Sequence, residues 1–211
     1  MKTDELISAL VADTRPPPPL WARNVGIAAS AGALVSALVF LSILGFRPHF
    51  GDALLTWRFD LKLALILLAL VLALRDAASL TNPTNSHFAS WTSWLLPLAI
   101  AGAVSLELWL TPPDQWIKHL FGTNWLVCMV AIPVLSLAPL AAGIYAMRSG
   151  APANTAVAGA ALGRLAAALG AQVYAMHCID DSPLFVAAWY SIATLTVIAI
   201  GALAGRLSLR W

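Results

Sequence analysis

Six apolar runs, a near absence of charge along them and tryptophans at their borders predict an all-α polytopic membrane protein. The expected architecture is a bundle of six transmembrane helices with short loops and both termini cytoplasmic. Of 211 residues, 60% are hydrophobic and only 10% charged, and the mean hydropathy is +0.82. A soluble domain carries about 25% charged residues. A globular core does not absorb so much apolar side chain, whereas a bilayer does. The net charge of +2 is too small to suggest a nucleic acid as a direct partner.

The runs lie near 24–45, 55–74, 94–110, 124–147, 153–174 and 184–205. Each approaches or exceeds the ~20 residues a helix needs to cross a ~30 Å hydrocarbon core. The third is the shortest. The connections at 46–54, 75–93, 111–123, 148–152 and 175–183 are too short to hold a folded soluble domain. Trp21, Trp57, Trp91, Trp94, Trp109, Trp116 and Trp125 fall at or near the ends of runs, and Trp211 closes the chain. An indole prefers the headgroup layer, where its ring is buried and its N–H stays wet. These residues read as interfacial belts rather than a cofactor box.

Residues 1–23 form the one substantial polar segment, a tail preceding a transmembrane domain at 24–211. Thr3 suits a helix cap, with Asp4 and Glu5 in the first turn. Leu6, Ile7, Leu10 and Val11 then share one face of a short amphipathic helix. So short a helix is marginal alone and orders against a partner or the membrane surface. Pro16 to Pro19 follow as a polyproline spacer of roughly 12 Å. The tail is too long and acidic for a signal peptide, so it is expected to remain on the mature protein.

Lys and Arg give the orientation. A cytoplasmic N-terminus places Lys2, Arg15, Arg23, Arg75, Arg148, Arg206 and Arg210 inside, against Arg47, Arg58, Lys62 and Lys118 outside. On this topology Cys128, near the outer end of the fourth helix, and Cys178, between the fifth and sixth, reach the same oxidising side. Small residues point to close packing: Gly159 and Gly163 on the fifth helix and Gly201 and Gly205 on the sixth are small-xxx-small ridges. Pro133 and Pro139 are expected to bend the fourth helix.

Arg164 is the most anomalous residue, since a guanidinium near mid-membrane needs a partner. Glu107 of the third run, nearer the outer border, is a candidate; a structural Arg–Glu or Arg–carbonyl contact is expected there, rather than an ion path, which normally takes several such charges. The segment Tyr174–Tyr190 collects His177, Cys178, Asp180 and Asp181 within five positions. Asp181 or Ser182 suits an N-cap ahead of Pro183, which leaves His177 and Cys178 unexplained. With Cys128, the residues His177, Cys178 and Asp180 offer a soft-metal or oxidant site. The two cysteines allow one disulfide, one shared ligand set or two free thiols. His49, His87 and His119 sit in separate loops without ligand spacing and read as surface residues. No P-loop, dinucleotide turn, hydrolase elbow, zincin motif or Cys-x-x-Cys is present, so no enzyme class is indicated.

Several segments carry a resemblance. They are Met1-Lys-Thr-Asp-Glu-Leu-Ile7, Leu44-Gly-Phe-Arg-Pro48, Tyr174-Ala-Met-His-Cys178, Pro183-Leu-Phe-Val-Ala-Ala-Trp-Tyr190 and Gly205-Arg-Leu-Ser-Leu-Arg-Trp211. Together they resemble the NrsF family of bacterial six-span anti-sigma factors along the whole chain. The resemblance implies an inner-membrane protein that holds an extracytoplasmic-function (ECF) sigma factor inactive and releases it on oxidative or heavy-metal stress. It also implies that the family's two signalling cysteines correspond to Cys128 and Cys178; the residues themselves add His177 and Asp180 as assistants.

The expected partners are thus a cytoplasmic ECF sigma factor, contacted through Leu6, Ile7, Leu10 and Val11, and membrane lipids. No resident cofactor is expected beyond a transient heavy-metal ion at Cys128, Cys178 and His177. The competing class is a small transporter or membrane thiol-redox protein, using Arg164 and Glu107 or the two cysteines.

Overall fold

The structure, a computed structural model, describes residues 20–79, 91–148, 152 and 154–209, with isolated positions 3, 5 and 8 near the start. Leu6, Ile7, Leu10 and Val11 of the expected partner-binding helix lie outside the described residues, as do the tetraproline and His87. Among the described residues the protein is all-helical. The long helices are α1 (Leu20–Ile43), α2 (Trp57–Ser79), α3 (Leu95–Leu110), α4 (Trp125–Met147), α5 (Thr155–Ala175) and α6 (Pro183–Ser208). Short helical turns at Phe50–Ala53, Trp91–Trp94 and Trp116–Phe121 sit between them.

Four of these helices, α1, α4, α5 and α6, are long and apolar enough to cross a membrane. α2 is long enough at 23 residues but carries Arg58, Asp60 and Lys62 near one end and Arg75 and Asp76 near the other. α3 is apolar but has only 16 residues. Helices that are apolar on every side either fill a core or meet lipid, and α4 does both. Its Cys128, Ile132, Leu135, Ser136 and Leu140 are buried, while Val130, Val134 and Leu137 are exposed.

α5 is the central helix, packed by α6, α4, α2 and α1. Its alanines and glycines leave no bulk to hold neighbours away, so backbones approach closely. Gly159 and Gly163 meet Gly201 and Gly205 of α6 as the spacing predicts, and a Cβ on Gly159 would run into the Gly201 carbonyl. A Cβ on Gly170 would strike Ser136 of α4. α1 meets α4 by the same device, with Gly32 against the Pro139 backbone. Pro133 and Pro139 lie inside an α4 that continues through both.

Arg164 and Glu107 do not find each other. Arg164 forms an ion pair with Asp76 of α2, both partly buried. Glu107 lies at the opposite end of the bundle, with Arg58 and His119. Asp76 falls just beyond the predicted second run, so nothing local in the sequence marks it as the partner of Arg164. Helix α2 continues past Leu74 and brings it to the α5 face.

Candidate functional site

The site begins where α5 stops. Its last turn closes with the N–H groups of His177 and Cys178 donating to the Tyr174 carbonyl, at 2.9 and 3.1 Å. The chain then crosses to α6 through residues 178–182. Ser182 ends the crossing as the N-cap, accepting from the Leu184 N–H at 3.2 Å, with Pro183 in the first position.

Asp181, the other expected cap, is used differently. Its carboxylate accepts from Arg47 at 2.7 Å and from Lys62 Nζ at 2.5 Å. The same two cations also donate to the Cys178 carbonyl, Arg47 at 3.2 Å and Lys62 at 3.0 Å. The Lys62 side chain is fully buried. Burying an ammonium is costly unless it is paired and bonded, and here the crossing loop supplies both. Phe59 lies under both cations, 5.4 Å from Arg47 and 5.2 Å from Lys62. The Arg47 N–H additionally donates to the Met176 carbonyl at 3.1 Å. The loop after α5 is thereby clasped to α2 and to the α1–α2 connection.

Asp180 reaches the other way. Its carboxylate accepts from the backbone N–H groups of Thr123 and Asn124, at 3.1 and 2.8 Å, at the start of α4. It acts as an N-cap supplied from another part of the chain, a position that favours negative charge. Gly122 makes room: it sits at φ +55°, and a Cβ there would lie 2.5 Å from the Asp180 carboxyl carbon. The Cys128 N–H donates to the Asn124 carbonyl at 2.8 Å. Asp180, two residues after Cys178, therefore anchors the turn that carries Cys128.

The structure brings Cys128 and Cys178 into one buried cluster with Ile132, Tyr174, Phe185 and Tyr190. Both are free thiols and neither is exposed. The expectation of outward-facing cysteines is therefore corrected. They lie toward one end of the bundle, but the crossing loop and its clasp cover them. Burial raises the Cys178 thiol pKa, with the nearby Lys62 charge partly opposing it.

The proposed assistants point away from the sulfurs. His177 Nδ1 lies 3.1 Å from the Gly45 carbonyl, and the Asp180 carboxylate is committed to α4. Among the described residues no three His, Cys, Asp or Glu side chains converge on a possible metal position. The Cys128, Cys178 and His177 ligand set is thus not assembled in this conformation.

A second polar centre flanks the first. Glu107 is fully buried, 3.0 Å from Arg58 Nε and 2.8 Å from His119 Nδ1, and accepts from the Ser182 hydroxyl at 3.2 Å. His119, expected on the surface without an acidic partner, is instead half-buried against Glu107. Glu107 ties α2, α3, the turn before α4 and the cap of α6 together. Trp189 adds a further tie: its indole N–H donates to the Leu120 carbonyl at 2.8 Å, and its ring lies tilted against Trp125 with centroids 4.9 Å apart.

Sequence reasoning did not assign Arg47, Lys62, Tyr174 or Tyr190 to this site. Lys62 gave a signal, as an ammonium within an apolar run, but its partners are more than a hundred residues away.

The comparisons with known proteins agree along the whole chain. The chain is 34% identical to the anti-sigma-F factor NrsF of Caulobacter vibrioides over 217 aligned positions, covering all of both chains. It is 30% identical to the probable anti-sigma-F factor NrsF of Azospira oryzae, again over the full length of both. No solved structure matches. The family model described as negative regulator of sigma F matches residues 10–211. That description is regulatory rather than enzymatic, and the chain belongs to the NrsF family.

Proposed function

We propose that this chain is an inner-membrane, six-span anti-sigma factor that holds an ECF sigma factor at the cytoplasmic face. Oxidants or heavy metals acting at Cys128 and Cys178 release it. The sigma-factor part rests on family membership and on relatives named anti-sigma-F factors. The six-span part extends the four long apolar helices to α2 and α3. At about 1.5 Å per residue, the 23 residues of α2 are long enough to span. α3 gains a further turn from Trp91–Trp94. An even number of spans puts both termini on one side, and the Lys and Arg distribution favours the cytoplasm.

The observation that carries the sensing part is the meeting of Cys128 and Cys178 in one buried cluster, bracketed by ion pairs that fasten the 178–182 loop to α2 and to the α1–α2 connection and by the Asp180 hydrogen bond to the start of α4. A new bond at either sulfur has to displace packed neighbours. Asp180 would pass that displacement to the start of α4, and Lys62 would pass it to α2. For release, the two arrangements must differ in affinity for the sigma factor by a few kcal/mol. Leu6, Ile7, Leu10 and Val11 remain the proposed contact with the partner.

The test is co-purification of the full chain from cells with its sigma factor, before and after cadmium or peroxide. Release from the native chain and retention by Cys128→Ser/Cys178→Ser is the expected result. Normal release by the double variant removes the cysteine sensor. Deletion of residues 2–12 should abolish capture; undiminished capture moves the contact to the inner loops.

A further inference from the structure

α4 and α6 do not close on each other at the end where both helices stop. The glycine ridge of α6 is taken up by α5, with Gly201 and Gly205 against Gly159 and Gly163. The part of α6 left toward α4 carries only Ala204 and Ser208, too short to fill the space. A groove of about 390 Å³ remains. Its floor is Leu140 and Ile144, both buried, whereas Leu137 and Tyr145 at its rim are exposed.

The groove has the length of one leaflet. Its α4 wall runs from Leu137 to Arg148, about 16 Å at ~1.5 Å per residue. Half of a ~30 Å hydrocarbon core is about 15 Å. The chemistry changes along that length. From Leu137 to Ile144 the α4 wall is aliphatic, and at the helix ends stand Tyr145, Arg148 and Ser208. A tyrosine there suits the headgroup layer. Arg148 is the one charged group in the lining, is exposed, and pairs with no carboxylate among the described residues. The groove is thus apolar at depth and cationic at its mouth, with no acid in its lining to oppose an anion.

We propose that this groove holds an anionic phospholipid. One acyl chain lies along Leu140, Ile144 and Ala204, and Arg148 binds the phosphate, with the Ser208 hydroxyl as a second donor. A guanidinium suits such a headgroup because its fork donates to two phosphate oxygens at once, and basic pockets between membrane helices take anionic lipids for this reason. Under the orientation proposed above, this end faces the cytoplasm. As the residue capping α4, Arg148 also complements the negative helix end, but that role needs no groove. The groove between α1 and α4 is the internal contrast: its lining, which includes Ile43 and Val130, has no charged group with which to select a headgroup.

The inference rests on α4 and α6 spanning the bilayer, and not on the cysteine or sigma-factor readings. Carbonate washing of membranes from expressing cells tests the spanning by itself. The chain should stay in the pellet, and its appearance in the supernatant removes the membrane reading and the lipid site together. Full-length protein in detergent micelles is then titrated with phosphatidylglycerol, or with phosphatidylcholine of the same acyl chains, and bound lipid is counted by native mass spectrometry. In the native chain phosphatidylglycerol should reach half-saturation at about fivefold lower concentration, the effect of one cation beside an anionic headgroup. Arg148→Gln should abolish that preference. Ala141→Phe, which fills the groove from an exposed wall position and keeps the cation, should abolish it too. Arg75→Gln, at an exposed cation of α2 outside the groove, should leave it intact. Equal binding of the two lipids by a native chain that stays in the pellet overturns the lipid site and leaves the membrane reading standing. A preference that survives Arg148→Gln or Ala141→Phe, or that Arg75→Gln removes as fully, also overturns it.

Discussion

Lys62 of α2 donates to the carbonyl oxygen of Cys178 at 3.0 Å, across 116 positions of sequence. Its other acceptors are the Asp180 carbonyl and the Asp181 carboxylate. One buried ammonium thus holds the loop beside the cysteines at Cys178, Asp180 and Asp181. Lys62→Met keeps the stem's bulk and removes these bonds, leaving Asp181 with Arg47. Removing one member of a buried pair is expected to cost about 3 kcal/mol. Thermal melting in micelles checks this, and a loss within experimental scatter would mean that Arg47 carries the clasp alone.

Asp180 offers a cleaner separation of coupling from stability. Asp180→Ala frees two backbone N–H groups at the start of α4, a loss of about 1–2 kcal/mol for a cap. Gly122→Ala should be at least as damaging, since it strains a positive φ and drives a Cβ into the Asp180 carboxylate. Both variants should also need more cadmium for sigma-factor release than the native chain. A variant that melts early yet releases normally would show that Asp180 transmits nothing.

Much of the fold was legible because membrane helices announce themselves by composition. The Gly159–Gly163 and Gly201–Gly205 ridges could be read directly, since small residues at this spacing have few uses other than close approach. The site was legible only as a list of residue types. Cys128 and Cys178 are legible in the sequence as two thiols, but their burial is not, because it depends on Arg47 and Lys62 closing the loop above them. Sequence alone pairs charges by helix membership, so Arg164 was set against Glu107. The Asp76 carboxylate that meets it lies two positions past the end of the predicted run. His119 was lost in the same way: nothing local marks it as the neighbour of Glu107.

The packing of α5 on α6 predicts a contrast between glycines. Gly159→Ala places a Cβ against the Gly201 carbonyl backbone, which has no side-chain rotamer with which to give way. A loss of about 1–3 kcal/mol is expected from such overpacking. Gly102→Ala on α3 meets nothing within 4 Å and should be neutral or slightly stabilising. Melting of the two variants side by side is the check, and equal losses would refute the close α5–α6 approach.

Cys178 should leave a mark on alkaline stability. Burial raises its pKa in the folded chain, whereas an unfolded cysteine titrates near ~8.5. The folded state therefore retains a proton that the unfolded state gives up. The resulting stability is complete below the unfolded value and is lost as pH climbs from there through the folded pKa. Native protein should lose melting temperature between neutral and strongly alkaline pH more steeply than Cys178→Ser. Parallel curves for the two would show that the thiol does not titrate differently on folding.

Arg164 and Asp76 make the sharpest stability test, because each charge is placed among apolar helices. Arg164 lies on the central helix, and its guanidinium engages the Asp76 carboxylate of α2. Asp76 has further interactions, so the two single variants need not be symmetric. Arg164→Met leaves a carboxylate without its cation, and Asp76→Leu leaves a guanidinium without its anion. Each should cost about 3 kcal/mol or reduce the amount of folded protein recovered. The double variant Arg164→Met/Asp76→Leu removes both charges and should recover most of the loss, since an apolar pair avoids the desolvation penalty. A coupling of about 1 kcal/mol or more in the double-mutant cycle confirms the pair. Simple additivity would mean that each charge is satisfied separately, by water or backbone. If the recovered double variant also captures its sigma factor normally, the Arg164–Asp76 charges serve the fold alone.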